Sequence, residues 1–184
     1  MAKNFTKSLM MSEDVQSMLY TGRFYDGEGN PAECHNGALV VKGAMEDHSV
    51  YAGVKDPNVY KITAPAADTD EVHVVDYVDV SHGDIMDVRY RDGIKTFGIP
   101  APAGADIRVR IPAKHDTGYF AEDNFVSAPT VGQYAVPTAN GTLWTPVAAK
   151  ATDKTCVKIE FEKNTTQGMV NTGKEYFVTF VNVM

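Results

Sequence analysis

Ile107-Arg108-Val109-Arg110-Ile111 is the stretch that decides the fold. Three β-branched aliphatic residues alternate strictly with two arginines. That period of two places one kind of side chain on each face of a strand, and no helical spacing reproduces it. The same grammar extends to both sides. Toward the C-terminus, Tyr134-Ala135-Val136-Pro137 and Thr142-Leu143-Trp144-Thr145-Pro146-Val147 flank Asn140-Gly141, a pair that tolerates the positive φ angles of a tight hairpin turn. Pro137 and Pro146 lack an N–H and suit strand edges. Val157, Ile159 and Phe161 then alternate with Lys158, Glu160 and Glu162. The last strand, from Glu175 onward, is expected to bring Phe177, Val181 and Val183 to one face.

Toward the N-terminus, Val88-Arg89-Tyr90-Arg91 and Ile94-Lys95-Thr96-Phe97 flank Asp92-Gly93, a second hairpin signal of the same kind. Glu71 to Val80 reads as a long strand. Val72 and Val74 share one face, Val78 and Val80 follow, and Val75 and Tyr77 on the other parity indicate burial on both faces or a bulge. Val59-Tyr60-Lys61-Ile62-Thr63 is a further strand. Ala38-Leu39-Val40-Val41-Lys42 is a buried-type run after the Asn36-Gly37 turn.

Residues 1–36 differ in texture. Ser12 can cap a short helix, Glu13 and Asp14 suit its positive start, Val15, Met18 and Leu19 share a face, and Gly22 ends it. Such a helix is too short to hold in water alone. It must pack on its own domain or, as an arm, on a neighbouring subunit. The expected architecture is mostly β, an antiparallel sandwich or small barrel(s), with a short helix-containing N-terminal arm over 1–36. A β-rich domain over 37–184 follows, divisible into lobes 37–100 and 101–184.

Composition agrees. The 184 residues are 43% hydrophobic and 22% charged, enough for a real core, with 15 Gly and 9 Pro as punctuation. The net charge of −7 argues against nucleic-acid binding, because the densest basic cluster (Arg89, Arg91, Lys95, Arg108, Arg110) is interleaved with acidic residues. Cys34 and Cys156 are too few for a disulfide framework and too far apart for a metal-ligand pattern. Cys34 is expected in a polar loop, and Cys156 as a buried or half-buried thiol at a strand start. The opening Met1-Ala2-Lys3-Asn4-Phe5-Thr6-Lys7 lacks the apolar run of a signal peptide, and no stretch reads as a membrane span, so synthesis in a cytoplasm is expected. On that expectation the three Asn-x-Thr matches at Asn4, Asn140 and Asn164 are chance.

Chemistry-bearing motifs are sparse. No Gly-rich phosphate loop, Gly-x-Ser-x-Gly elbow or His-Glu-x-x-His occurs. His35, His48, His73, His82 and His115 are well separated, and Glu46-Asp47-His48 reads as a solvated loop rather than a ligand set. Asp26-Gly27-Glu28-Gly29-Asn30 starts like a calcium loop but has Pro31 where glycine is required and Gly37 where a bidentate glutamate is required. Asp68-Thr69-Asp70-Glu71 reads as a turn. Trp144, Tyr119 and Phe120 are the aromatics that could stack on a sugar. No catalytic, cofactor or metal residue is assigned, and the chain is expected not to be an enzyme.

The order of segments resembles small virion proteins of tailed bacteriophages, the head decoration or cement proteins. The resemblance opens on Asn36-Gly37-Ala38-Leu39-Val40-Val41-Lys42-Gly43-Ala44-Met45-Glu46-Asp47-His48 and continues with Val59-Tyr60-Lys61-Ile62-Thr63-Ala64-Pro65-Ala66-Ala67-Asp68-Thr69-Asp70-Glu71-Val72-His73-Val74-Val75-Asp76. Gly83-Asp84-Ile85-Met86-Asp87-Val88 comes next, then Val131-Gly132-Gln133-Tyr134-Ala135-Val136-Pro137 with Gly141-Thr142-Leu143. Tyr176-Phe177-Val178-Thr179-Phe180-Val181 closes it. It covers most of 36–184, fits 95–128 less well and the arm poorly.

The resemblance implies a non-enzymatic protein on the outer capsid surface, made in the host cytoplasm. Its partners would be the major capsid protein and further copies of itself, with no nucleic acid, membrane or cofactor. The contact residues expected on this reading are Phe5, Met10, Met11, Val15, Met18, Leu19, Phe24 and Tyr25 of the arm, and the hairpin tips Asp92, Gly93, Asn140 and Gly141. Two other classes stay open: a phage tail or neck component, and a carbohydrate-binding β-sandwich module with Trp144 and Tyr119 as first suspects.

Overall fold

The computed structural model describes residues 18–47, 52–76, 100–167 and 170–184. The described chain is mostly β, as expected, and its strands form two sheets. The first is a closed barrel of β1 (Met18–Tyr25), β2 (Leu39–Asp47), β3 (Lys55–Thr63), β4 (His73–Val75) and β5 (Ile107–Ile111), in the order β1-β3-β2-β4-β5. β5 returns to β1 antiparallel, from Met18 opposite Ile111 to Gly22 opposite Ile107, and closes the barrel. β1 and β3 run parallel, and the other barrel pairs are antiparallel.

The second sheet is open: β6 (Thr117–Ala121), β7 (Tyr134–Pro137), β8 (Trp144–Val147), β9 (Cys156–Gln167) and β10 (Val170–Asn182), in the order β6-β10-β9-β7-β8. All its neighbours are antiparallel.

Alternation along the strands builds two cores. Phe24, Val40, Ile62, Val75, Ile107 and Val109 fill the barrel, closed by Cys34, Ala38 and Ala101 from the connecting segments. Leu39, Val72 and Val74 instead join Phe120, Phe125, Trp144, Val157, Ile159, Tyr176, Val178 and Phe180 of the open sheet. Neighbouring residues Val74 and Val75 thus serve different cores, which is the first of the two alternatives that their parity left, burial on both faces or a bulge; among the described residues the strand is His73–Val75, not a run from Glu71. Polar ties cross the same junction. Leu39 N–H donates to Thr142 O at 2.8 Å, Asn140 N–H to Pro65 O at 2.8 Å, and the buried Asn124 side chain to Asn36 O at 3.0 Å.

Four expectations are corrected. Met18–Gly22, assigned to the end of a helix, belong to β1, while Ser12 to Ser17 lie outside the described residues. Tyr20, Thr21, Phe24 and Tyr25 favour a strand, and Tyr20 and Phe24 pack on the barrel core at a spacing of four that a strand also permits. In β10 the buried residues are Tyr176, Val178 and Phe180, the opposite parity to that expected, with Val183 packed on the core beyond the strand. That run is apolar on both parities, so periodicity could not choose. Phe161 leaves the inner face because the register slips at Glu160: Phe177 opposes Phe161, but Val178 opposes Ile159. An extra residue on one strand reverses the facing of the residues beyond it. Cys34 is buried, held by a pair of backbone bonds to Ala101 at 3.1 and 2.7 Å, and both cysteines are free thiols.

The β7–β8 hairpin forms, with Tyr134 opposite Val147 and Pro137 opposite Trp144. Its connection is longer than a two-residue turn: Thr138 N–H donates to Leu143 O at 3.0 Å, and Asn140 alone of its pair adopts positive φ, at 54°. β8 is an edge strand, which accommodates Pro146. β9 pairs with β7 only at Tyr134 and Ala135, which leaves Pro137 clear of that ladder. The Asp92-Gly93 hairpin and Tyr77 to Val80 lie outside the described residues.

Candidate functional site

Strand register alone assembles a row of rings on the outer face of the open sheet. Tyr119 on β6 opposes Phe177 on β10, which opposes Phe161 on β9. The Phe161 and Phe177 rings stack, with centres 4.8 Å apart and planes 16° from parallel. Tyr119 is 5.0 Å from Phe177 and 6.1 Å from Phe161, tilted to both. Phe161 is 44% exposed, a high value for a phenylalanine in the middle of a strand pair.

Charges frame the row. Lys163 lies 3.7 Å over the Tyr119 ring and 3.2 Å from the buried Glu175 carboxylate, whose other oxygen has no hydrogen-bond partner. Lys158 pairs with Glu160 at 2.8 Å, and that hydrogen bond raises the Lys158 pKa; the Lys174–Glu162 pair, at 3.2 Å, has the parity of Tyr176 and lies on the opposite face. On the other side of the sheet, burial and then the charge of Glu122 push the Tyr176 hydroxyl up to about 12.

This arrangement resembles the anatomy of a protein contact, an apolar centre bordered by ion pairs, Lys163–Glu175 and Lys158–Glu160. It is a poor sugar platform. Stacking on a sugar needs an open ring face, whereas Phe161 and Phe177 cover each other and Lys163 occupies one face of Tyr119. Trp144, the other suspect, is fully buried between Phe120 and Phe180. Phe120 is buried as well.

The expected contact residues are scattered rather than gathered. Leu19 is 52% exposed on β1, but Phe24 is only 9% exposed and packs inside the barrel, which removes it from any outer surface. Tyr25 is half-buried and its hydroxyl donates to Glu46; burial and then that hydrogen bond push it up to about 12. Met18 lies in β1. Asn140 is exposed, but its N–H is tied to Pro65, so this tip leans on the barrel. A side chain at Gly141 would press Thr138 Cγ2 at 3.3 Å. Phe5, Met10, Met11, Val15, Asp92 and Gly93 lie outside the described residues. Phe161, Phe177, Lys163 and Glu175 were missed because the bulge at Glu160 is silent in the residue pattern.

Two other clusters are built. At one end of the barrel, Tyr20 and His73 share a 2.7 Å hydrogen bond, and Lys42 lies 3.8 Å over Tyr60 and 4.7 Å over Tyr20. Burial lowers the His73 pKa against the opposing pull of Glu71, and raises that of Tyr20. A cleft of about 320 Å³ lies beside β7 and β8, lined by Val136, Thr138, Thr145 and Val147, with the Lys154–Asp68 ion pair at 2.7 Å also lining it.

Metal chemistry finds no footing among the described residues, where no three His, Cys, Asp or Glu side chains converge. Asp26 spends one carboxylate oxygen on the N–H groups of Glu28 and Asn30, at 3.0 and 2.8 Å, so it closes a turn. Asp70 does the same for Ala66 and Ala67. No family model, curated protein or solved structure matches the chain.

Proposed function

We propose that this chain is a non-enzymatic virion structural protein that binds the outer surface of a tailed-phage capsid and stabilises it as a decoration or cement protein. The observation that carries the reading is the Tyr119–Phe177–Phe161 row, an exposed apolar centre held rigidly by three paired strands. A surface of that kind does its work by being covered. The sequence resemblance supplies the partner class. Its segments that are described fall on β2, β3, β4, β7 and β10 and on the turns beside them, so it is a likeness of scaffold in both sheets.

The mechanism is mass action. A protein that binds the assembled shell and not its separated subunits stabilises the shell by the free energy of that binding. Copies grouped on a symmetric lattice add avidity to contacts that are weak singly. The test is to mix the purified protein with capsids stripped of accessory proteins and image them by cryo-electron microscopy. Ordered density at fixed positions over the whole shell is the expected result. Density confined to the portal vertex or tail would replace this reading with a neck or tail component, and no density anywhere would end it.

A further inference from the structure

We infer that the outer face of the open sheet is where two copies of this chain meet, with the Tyr119–Phe177–Phe161 rows of both copies at the centre of the contact. The inference rests on the reading of this row as a contact surface and goes further by naming its occupant.

Charge selects that occupant. The whole chain carries −7, so two copies repel at long range. The ion pairs on that face are balanced: Lys158 and Lys163 against Glu160 and Glu175, two of each sign. A like copy can therefore approach this face without net repulsion. The alternation of sign is also self-complementary. Under a two-fold axis, a lysine of one copy that faces a glutamate of the other is matched by the reciprocal pair, so a single arrangement satisfies both rims. A strongly basic or strongly acidic partner would find no matching potential here.

Shape agrees. Register places three residues in each of three successive rows on one face: Ala121, Glu175 and Lys163; Tyr119, Phe177 and Phe161; Thr117, Thr179 and Lys158. Two such faces can pack as the layers of a sandwich do, about 10 Å apart. Three strands by five residues cover roughly 14 by 17 Å. That is small for a standard interface, so free copies should associate at micromolar concentration or more weakly. Stacked rings at the centre of the patch are the kind of residue whose loss dominates such a contact.

The experiment uses the full chain. Sedimentation is run from about 1 to about 200 μM, a range set by the expected weak affinity, on the wild type, Phe161→Glu, Phe161→Thr and Val126→Glu. Val126 is an exposed apolar residue outside the row and controls for added charge. Emission from Trp144, the one tryptophan and fully buried, reports that each variant is folded. The threonine variant keeps a strand-forming residue should the glutamate disturb the sheet.

Concentration-dependent dimerisation is expected for the wild type and for Val126→Glu, weakened on the order of thirty-fold or more by Phe161→Glu and Phe161→Thr. A wild type that stays monomeric over the whole range, or folded Phe161 variants that associate as the wild type does, overturns the inference. Binding of the same proteins to stripped capsids separates the two claims. A monomeric wild type that decorates capsids, with binding lost in the Phe161 variants, overturns the second copy as occupant and leaves the capsid reading standing. Self-association through Phe161 without any capsid binding supports the inference and overturns the capsid reading.

Discussion

The barrel and the open sheet solve the same problem with different materials. The barrel's buried cluster is mostly aliphatic and small: among its described members Phe24 is the one aromatic ring beside Val40, Ile62, Val75, Ile107 and Val109, with the partly buried Tyr20 packed against them. The inner face of the open sheet is aromatic, with Phe120, Phe125, Trp144, Tyr176 and Phe180 meeting edge to face. A five-stranded barrel closes on itself, and its narrow interior admits few large rings. An open sheet must bury one face on something, here the outside of β2 and β4, and keeps a second face. Closure uses up a sheet's capacity for partners, whereas openness retains it. The proposed contact row accordingly lies on the open sheet.

The sharpest test of that contrast is the largest side chain. Trp144→Ala should cost about 3–5 kcal/mol, since the ring is fully buried and its aromatic neighbours cannot collapse into the space. Urea denaturation followed by circular dichroism measures it. A loss below about 1 kcal/mol, the ordinary cost of a point mutation, would mean that the aromatic cluster is not the main stabilising element of the open sheet.

In the barrel the fault should come from overfilling. A Cβ on Gly22 would lie 2.8 Å from Ile62 Cγ2 and 2.9 Å from its Cδ1. Gly22→Ala is therefore expected to cost about 1–3 kcal/mol, as overpacked cores do. Ile62→Val removes Cδ1, so the double variant should lose less than the sum of the single losses. The coupling from a double-mutant cycle checks this. Additive losses would show that β1 and β3 move apart instead.

The outer row should matter little to the lone chain. Phe161→Thr removes one stacked aromatic pair, expected to cost about 0.5–1.5 kcal/mol in a monomer at low concentration. A larger loss would make the row a part of the fold and not a surface held in reserve.

The same contrast governs how much of the molecule is legible in its residues. Strict alternation marked β5, because polarity there differs from residue to residue, whereas the opposite parities of Val74 and Val75 left burial on both faces or a bulge, and the two cores decide for the first. β10 could not be oriented: Tyr176 through Phe180 is apolar on both parities save Thr179, and only pairing with β6 and β9 decides. The contact row was hidden for a related reason. Phe161 continues the pattern of Val157 and Ile159 in sequence, and a single bulged residue, Glu160, turns it outward. Met18 to Gly22 misled because an apolar spacing of four, as from Tyr20 to Phe24, can be met by a strand as well as by a helix. Their closing partner, β5, lies far along the chain, where no local pattern can announce it.

The smallest expected effect belongs to the barrel's polar end. His73 is buried, Tyr20 from β1 is bonded to its Nδ1, Glu71 lies 3.4 Å from its Nε2, and the Lys42 ammonium lies over Tyr20 nearby. Burial holds its pKa below the ordinary 6.5, with Glu71 partly offsetting the shift. The unfolded chain therefore takes up a proton at a higher pH than the folded one. As pH falls from about 6.5 toward the lowered value, unfolding is favoured by that proton; above about 6.5 the contribution vanishes. Urea midpoints of wild type and His73→Gln at about pH 7.5 and about pH 5.5, on either side of that value, isolate it. The wild type should lose more stability on acidification than the variant, while variants of the open sheet such as Phe161→Thr should keep the wild-type pH slope. An equal acid loss with and without His73 would move the sensitivity away from this cluster, and would make the two sheets alike in the one respect where the barrel's polar end should set it apart.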